Sequence, residues 1–169
     1  APKKKNTANN EVAAKDPPVK KKRARKVSIN QSAIANERIL AANDFINWML
    51  KGIQNKKIRV NEGKAEVHVL DGYIALVTPK IFERYLDENP MIRRKYRSQL
   101  QGGAPEYTAI QKEIQALGVN HIGEEGKNIH RLYVVGKRGA SELRVYLIER
   151  RYLPSLNRFD VNKAMKIAK

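Results

Sequence analysis

The spacing of apolar residues along the first half of the chain predicts a helix followed by a hairpin. Apolar residues between Ile39 and Ile53 recur at intervals of three and four, which is one face of an amphipathic helix. Two short β-rich runs, residues 65–70 and 73–77, are separated only by Asp71-Gly72. Asp-Gly between two such runs predicts a hairpin in which both central residues of the turn have positive φ.

A second helix is predicted after this hairpin. Thr78 can cap a helix and Pro79 is preset for its first turn, while Asn89-Pro90 ends it. A basic stretch, residues 93–97, then leads to a predicted loop at residues 102–103. From residue 105 another amphipathic helix runs to residue 118, with apolar residues again three and four apart.

The end of the chain predicts a second hairpin. Residues 128–135 and 142–149 are the last two strands, joined by a loop with Lys137 and Arg138 at its tip. The order helix, hairpin, helix, helix, hairpin predicts an α+β, winged-helix-like domain over residues 31–153. In a winged helix the second adjacent helix usually enters the major groove, and the hairpin contacts the backbone or minor groove. Residues 154–169 are predicted to be a C-terminal tail with a short helix.

Charge changes this picture at the N-terminus. The 169 residues carry a net charge of +17, of which the first 27 residues supply +8. Such an excess favours an anionic partner. Residues 1–30, which contain almost no large apolar residue, are predicted to be a disordered basic tail or linker. No apolar run is long enough to cross a bilayer, so no membrane partner is expected.

Candidate chemistry is sparse. His68, His121 and His130 have no acidic or histidine partner at a metal-site spacing, so we expect no metal and no cofactor. His68 alternates with two valines in a strand and is predicted to point away from their face in a structural role. Tyr85 and Tyr107 are expected to pack on helix faces rather than act as nucleophiles. The chain is therefore predicted to have no catalytic residue.

Candidate DNA-binding residues form four groups in the sequence. Gln and Lys side chains on the helix from residue 105 can read base edges, and cations elsewhere can contact phosphates. Each residue alone is as consistent with an ordinary solvated surface as with binding, whereas the group as a whole favours nucleic acid. The predicted DNA-binding residues are Lys20, Lys21, Lys22, Arg23, Arg25, Lys26, Arg93, Arg94, Lys95, Arg97, Thr108, Gln111, Lys112, Gln115, Lys137 and Arg138. Gln111 could equally brace the fold.

The order of motifs between residues 42 and 149 resembles a known family. The pattern combines an aromatic helix with Trp, an Ala-x-Val-His strand, a Leu-Val-x-Pro-x-x-Phe-x-x-Tyr segment, a Gln-bearing helix ending in Leu-Gly and an Asn-Ile strand. It resembles the C-terminal domain of TraI-type conjugative relaxases of the MobH class. The matching positions are Phe45, Trp48, Asn61, Ala65, Val67, His68, Leu76, Val77, Pro79, Phe82, Tyr85, Gln111, Leu117, Asn128 and Ile129.

The resemblance implies a role in conjugative DNA transfer in the bacterial cytoplasm. In such relaxases the nicking chemistry belongs to a separate metal-dependent domain, so this chain is expected to be a non-catalytic, DNA-binding part of a longer enzyme. The alternative is a protein-docking module for relaxosome proteins or the coupling ATPase. The basic run at 20–26 is typical of a nuclear localisation signal or a nucleic-acid patch. With this resemblance we interpret it as a cationic linker that contacts phosphates.

Overall fold

The structure, a computed structural model, describes residues 32–136 and 139–167. The predicted basic tail, with Lys20 to Lys26, and the hairpin-tip residues Lys137 and Arg138 lie outside the described residues. The helices are α1 (32–40), α2 (Asp44–Gln54), α3 (Lys80–Glu88), α4 (Pro90–Gln99) and α5 (Tyr107–Leu117). The strands are β1 (Val67–Val69), β2 (Tyr73–Val77), β3 (Ile129–Gly136), β4 (Gly139–Glu149) and β5 (Met165–Ile167).

All five strands belong to one antiparallel sheet with the order β1-β2-β4-β3-β5. The α+β class is correct, but the winged-helix arrangement is wrong. β4 pairs with β2 from Val145 to Glu149 as well as with β3, so the second hairpin is part of the central sheet and not a separate wing. The physical reason is that Val145 to Ile148 are all fully buried. A strand buried on both faces needs neighbours and layers on both sides, which a wing lacks.

The two faces of the sheet belong to different clusters of buried apolar residues. Val67, Val69, Tyr146 and Ile148 face the helices and form the main core with apolar residues of α2, α3 and α5. The opposite face carries a smaller cluster that includes Ala75, Leu132 and Leu147. His68 pairs with Ala75 across the hairpin and does not belong to the core that holds its two valine neighbours. The prediction that His68 points away from these valines is therefore confirmed.

The first predicted helix is interrupted. Residues 41–43 form a turn, and α2 starts after Asn43, whose side-chain oxygen accepts a hydrogen bond from the backbone N–H of Ile46 at 3.0 Å. An asparagine at this position satisfies an N–H that has no partner within the helix, which fixes the helix start. Ile39 is consequently 64% exposed, and Leu40 is the buried residue of α1.

The basic stretch at residues 93–97 forms part of a helix that the sequence did not predict, α4, and the predicted loop at residues 102–103 follows this helix. α3 ends at Asn89 as predicted, and Pro90 then occupies the first turn of α4. Proline is well tolerated there because its missing N–H would have had no partner within the helix. Thr78 does not cap α3, since Pro79 holds the cap position without a side-chain hydrogen bond. None of the described helices has both the length and the apolar content that a bilayer crossing requires.

The C-terminal segment continues the sheet instead of leaving it. The backbone N–H of Asn162 donates to the carbonyl of Val69 at the end of β1, and β5 then pairs with β3. The short helix predicted from residues 161–169 is thus wrong, because residues 165–167 form a strand. The Asp71-Gly72 hairpin is confirmed, although only Gly72 has positive φ in its turn.

Candidate nucleic-acid interface

The β3–β4 hairpin extends past the helical layer and leaves one sheet face open to solvent. β3 and β4 pair without interruption from Ile129 to Gly136, so alternate residues point to the same face. On the helix-facing side, Tyr146 is buried beneath α5, and its hydroxyl donates to the backbone carbonyl of Gln111 at 3.2 Å. Two residues closer to the hairpin tip the same face is exposed.

This exposed surface combines cations with an aromatic ring. Arg131 lies directly opposite Arg144, and Tyr133 lies between Glu142 on β4 and Lys166 on β5. All five side chains are exposed, and Tyr133 is 41% exposed. We call the surface formed by Arg131, Tyr133, Glu142, Arg144 and Lys166 the open sheet face. It has three cations and one carboxylate, and Arg131 Nη1 lies 3.9 Å from Glu142 Oε2.

The open sheet face adjoins one of the predicted DNA-binding groups. The side-chain amide of Gln111 on α5 donates to the Thr78 hydroxyl at 3.1 Å, and the Thr78 N–H donates to the carbonyl of Arg144 at 3.0 Å. Gln111 therefore braces the fold next to Arg144. On the same side of α5, Lys112 is exposed and Gln115 is half-buried, while the Thr108 hydroxyl donates to the Pro105 carbonyl at 2.6 Å.

The basic residues of α4 divide into two pairs. Arg93 bonds Asp87 at 2.8 Å and Glu83 at 3.3 Å on α3, and Arg97 lies 3.0 Å from Glu106. These ion pairs attach α4 to its neighbours and offset the charge of both arginines. Arg94 and Lys95 are exposed. The structure thus connects α5 with the open sheet face through Gln111, while two of the four α4 cations are ion-paired within the fold.

The sequence did not indicate any of the five residues of the open sheet face as a binding residue. Arg131 and Tyr133 lie in a segment that is correctly predicted as a strand. The prediction did not distinguish which residues of the strand lie on each of its two faces. The two-residue spacing of Arg131 and Tyr133, continued by Val135, was the available signal: an exposed aromatic and a cation share one face. Arg144 and Lys166 can be assigned to the same face only when the register of β4 and β5 against β3 is known, and the structure supplies that register.

The three histidines are held by contacts within the fold. His68 is 2% exposed, and its Nε2 lies 2.9 Å from the Ala65 carbonyl while Nδ1 lies 3.3 Å from the Asn162 amide nitrogen. The rings of His121 and His130 stack at 5.2 Å. In residues 32–136 and 139–167, no three His, Cys, Asp or Glu side chains are grouped so that they could hold a metal ion.

Burial gives His68 a measurable effect on stability. Desolvation lowers the pKa of His68 below 6.5, although the hydrogen bond to Ala65 opposes this shift. The unfolded state then binds more protons than the native state as the pH falls through 6.5. We therefore expect the free energy of unfolding to be highest above pH 6.5 and to decrease below it.

This pH dependence can be assigned by substitution. His68→Gln removes the titrating group, so its free energy of unfolding, measured by urea denaturation between pH 5 and 8, should change less with pH than that of the original chain. Equal slopes for the two proteins below pH 6.5 would show that His68 does not cause the dependence.

Tyr85 and Tyr107 pack on helix faces, as predicted. Tyr85 is 1% exposed, with its ring 5.4 Å from that of Phe45, and Tyr107 packs against the main core. Burial, with the nearby carboxylates of Asp44 and Glu113, raises the pKa of Tyr85 to about 12. A hydroxyl that neither solvent nor substrate reaches and that resists ionisation cannot attack a phosphodiester.

A cleft of about 470 Å³ lies on the sheet face opposite the helices. The side chains of His68 and Asn162 line it and bond each other, and Asn61 at its rim bonds the backbone at Val69 and Asp160. These three side chains are hydrogen-bonded within the fold, while Glu62, Lys64 and Lys80, which also line the cleft, are exposed. The open sheet face combines exposed cations with an exposed tyrosine ring, which the lining of the cleft lacks, and is the better candidate for a nucleic-acid site.

Comparisons with known proteins agree with an α+β domain built on a single antiparallel sheet. The profile of the family described as “Putative conjugal transfer nickase/helicase TraI C-term” matches residues 40–164. The chain belongs to this family, which confirms the resemblance seen in its motifs. The match extends past residue 153, in agreement with the incorporation of the C-terminal segment into the sheet.

One solved structure shares the fold. The crystal structure of the C-terminal domain of the Salmonella enterica protein STY4665 superimposes with a TM-score of 0.55 at 17% sequence identity, covering 73% of this chain and 93% of that chain. A comparison with curated protein sequences finds no match.

Proposed function

We propose that this chain is a DNA-binding module of a conjugative relaxase that has no nicking chemistry of its own. It would act in the bacterial cytoplasm and help the relaxosome engage DNA at the transfer origin. Membership of the TraI C-terminal family supports the conjugation role. The observation that supports DNA binding is the open sheet face, where three solvent-exposed cations and one carboxylate lie around an exposed aromatic ring.

Electrostatics favour a polyanion at this surface. Arg131 and Arg144 lie directly opposite each other on neighbouring strands, an arrangement that destabilises a sheet when the charges are alike. Glu142 offsets only part of this charge, and Arg144 and Lys166 form no ion pair with any described residue. A phosphate backbone would neutralise the excess, since Lys and Arg contacts to phosphate supply most of the affinity of non-specific DNA binding.

A protein-docking function is the second candidate, because the same face exposes Val135 and part of Ile129 beside Tyr133. Exposed apolar side chains can mark a protein-binding surface. Here, however, they are bordered by Arg131, Arg144 and Lys166. This basic border favours nucleic acid over a neutral protein partner. An acidic protein partner would also fit, and the DNA-binding measurement described next distinguishes it from DNA.

The proposal predicts a localised charge effect on DNA affinity. Replacing Arg131, Arg144 and Lys166 together by Gln in the full chain should weaken binding to labelled single-stranded and duplex oligonucleotides in fluorescence anisotropy. The slope of log K against log salt should become shallower by roughly 2 to 3, because each lost phosphate contact contributes about 0.7 for single strands and 0.9 for duplex DNA.

A matched control separates local contacts from total charge. Lys51, Lys56 and Lys57 are exposed on α2 and the turn after it, and their replacement by Gln removes the same net charge. This control variant should have the same salt slope as the original chain within experimental error. Glu142→Gln, which removes the carboxylate of the open sheet face, should bind DNA more tightly than the original chain. If both triple variants change the slope equally, or if the original chain binds no DNA even at low salt, the proposal is wrong.

A further inference from the structure

Tyr133 occupies the centre of the open sheet face. Its ring is 41% exposed and projects from the middle strand of the three that form this surface. Glu142 lies across from it on one side and Lys166 on the other, each about 5 Å away between Cβ atoms. Arg131 precedes it by two residues on the same face. An exposed aromatic ring with one cation across from it and another two residues along its strand is a suitable platform for the face of a nucleic-acid base.

The shape of the surface bears on the form of DNA it can accept. β5 flanks β3 opposite Leu132 to Val134, so the face is at least three strands wide. The outer strand axes are then about 10 Å apart before side chains are added. The major groove of B-form DNA is about 12 Å wide and admits a helix or a two-stranded ribbon. A three-stranded face with long basic side chains is too broad to enter it.

Stacking also requires an unpaired base. In a duplex the faces of the bases are covered by their neighbours, whereas single strands can place bases on aromatic rings and on Arg guanidinium planes. Arg131 and Arg144 add planar groups one row from Tyr133, since successive residues on one face of a strand are about 6.7 Å apart. The whole surface thus combines a ring, two guanidinium planes and a lysine.

We propose that the open sheet face binds single-stranded DNA, with Tyr133 stacking on one base and Arg131, Arg144 and Lys166 contacting the flanking phosphates. This inference rests on the proposed DNA-binding function and adds its substrate form and the residue that contacts the base. Tyr133 is a binding residue with no role in bond cleavage.

The test uses the full chain and two 20-nucleotide probes, a labelled single strand of mixed sequence and the same strand annealed to its complement. Tyr133→Ala should weaken single-strand binding by about 5- to 150-fold, which corresponds to the loss of roughly 1–3 kcal/mol for one base–aromatic stack. Duplex affinity should change by less than about twofold. Tyr133→Phe keeps the ring and should retain single-strand affinity.

Further variants keep the outcomes distinct. Arg131→Lys preserves the charge that contacts phosphate, so it should leave the slope of log K against log salt unchanged. Thermal denaturation checks that each variant is folded, and Tyr133 is exposed enough for substitution. If Tyr133→Ala binds single strands as tightly as the original chain while the triple Gln variant binds more weakly, the stacking proposal is wrong. The proposal that the chain binds DNA would still stand. Absence of any DNA binding by the original chain would overturn both proposals.

Discussion

Phe45→Ala should lower the free energy of unfolding by about 3–5 kcal/mol, the usual cost of truncating a large buried aromatic residue. Phe45 is 1% exposed and lies where α2 meets α3. Its ring centre is 5.0 Å from that of Phe82 and 5.4 Å from that of Tyr85, and Phe82 in turn contacts Tyr146 at 6.0 Å. The substitution therefore leaves a cavity between α2, α3 and the sheet, where these rings meet.

The measurement is urea denaturation followed by circular dichroism at pH 7. Met91→Ala removes a long apolar side chain at a position that is 78% exposed and serves as the control. It should cost no more than about 0.5 kcal/mol, as is typical of surface substitutions. A loss for Phe45→Ala as small as that of the control would contradict the described core.

Asn61→Ala should lower the free energy of unfolding by about 2–4 kcal/mol. The side-chain oxygen of Asn61 accepts from the Val69 N–H at 2.8 Å, and its amide donates to the Asp160 carbonyl at 2.7 Å. Truncation removes two hydrogen bonds and leaves a backbone N–H on β1 without its partner. Alanine also disfavours the left-handed backbone of residue 61, whose φ is 65°.

The same denaturation experiment on Asn55→Ala provides the control. Asn55 follows α2, is exposed and has φ of −81°, so the same chemical change there should cost no more than about 0.5 kcal/mol. Equal losses at the two positions would show that Asn61 does not fasten residues 160–162 to β1. The pair thus tests whether the C-terminal segment is an integral part of the fold.

Local patterns in the sequence were sufficient to predict most of the elements. Alternation and Asp-Gly located the first hairpin, and the three-and-four spacing located α2, α3 and α5. The winged-helix interpretation failed because it followed the order of elements and not their pairing. The unbroken apolar run from Val145 to Ile148 contained the missing signal, since four successive buried residues indicate a central strand with packing on both faces.

Two other errors have local causes. The apolar spacing continued by chance across the break at Asn43, and the side-chain cap of that residue decides where α2 starts. No helix was predicted for the stretch around Arg93, which is rich in charge and precedes the loop at residues 102–103. In the structure its cations are compensated by Glu83, Asp87 and Glu106, which allows α4 to form and to pack on its neighbours.

The candidate site was predictable only in part. The sequence indicated α5 and the second hairpin as binding elements, and the structure joins them through Gln111, Thr78 and Arg144. It could not show that Lys166 lies beside Tyr133, because that contact depends on β5 pairing with a strand more than thirty residues away. The sequence is compatible with two roles for Gln111, contact with a base and bracing of the fold. Its hydrogen bond to Thr78 supports the second role.

The central claim is that DNA contacts the sheet and not the helices. The most direct measurement is a titration of the isotope-labelled full chain with a single-stranded 12-nucleotide DNA, followed through backbone amide chemical shifts. The account predicts that the largest shifts within the described fold fall on residues 131–135, 140–144 and 165–167. Shifts in that fold that are confined to α4 and the exposed side of α5, with the open sheet face unchanged, would contradict it.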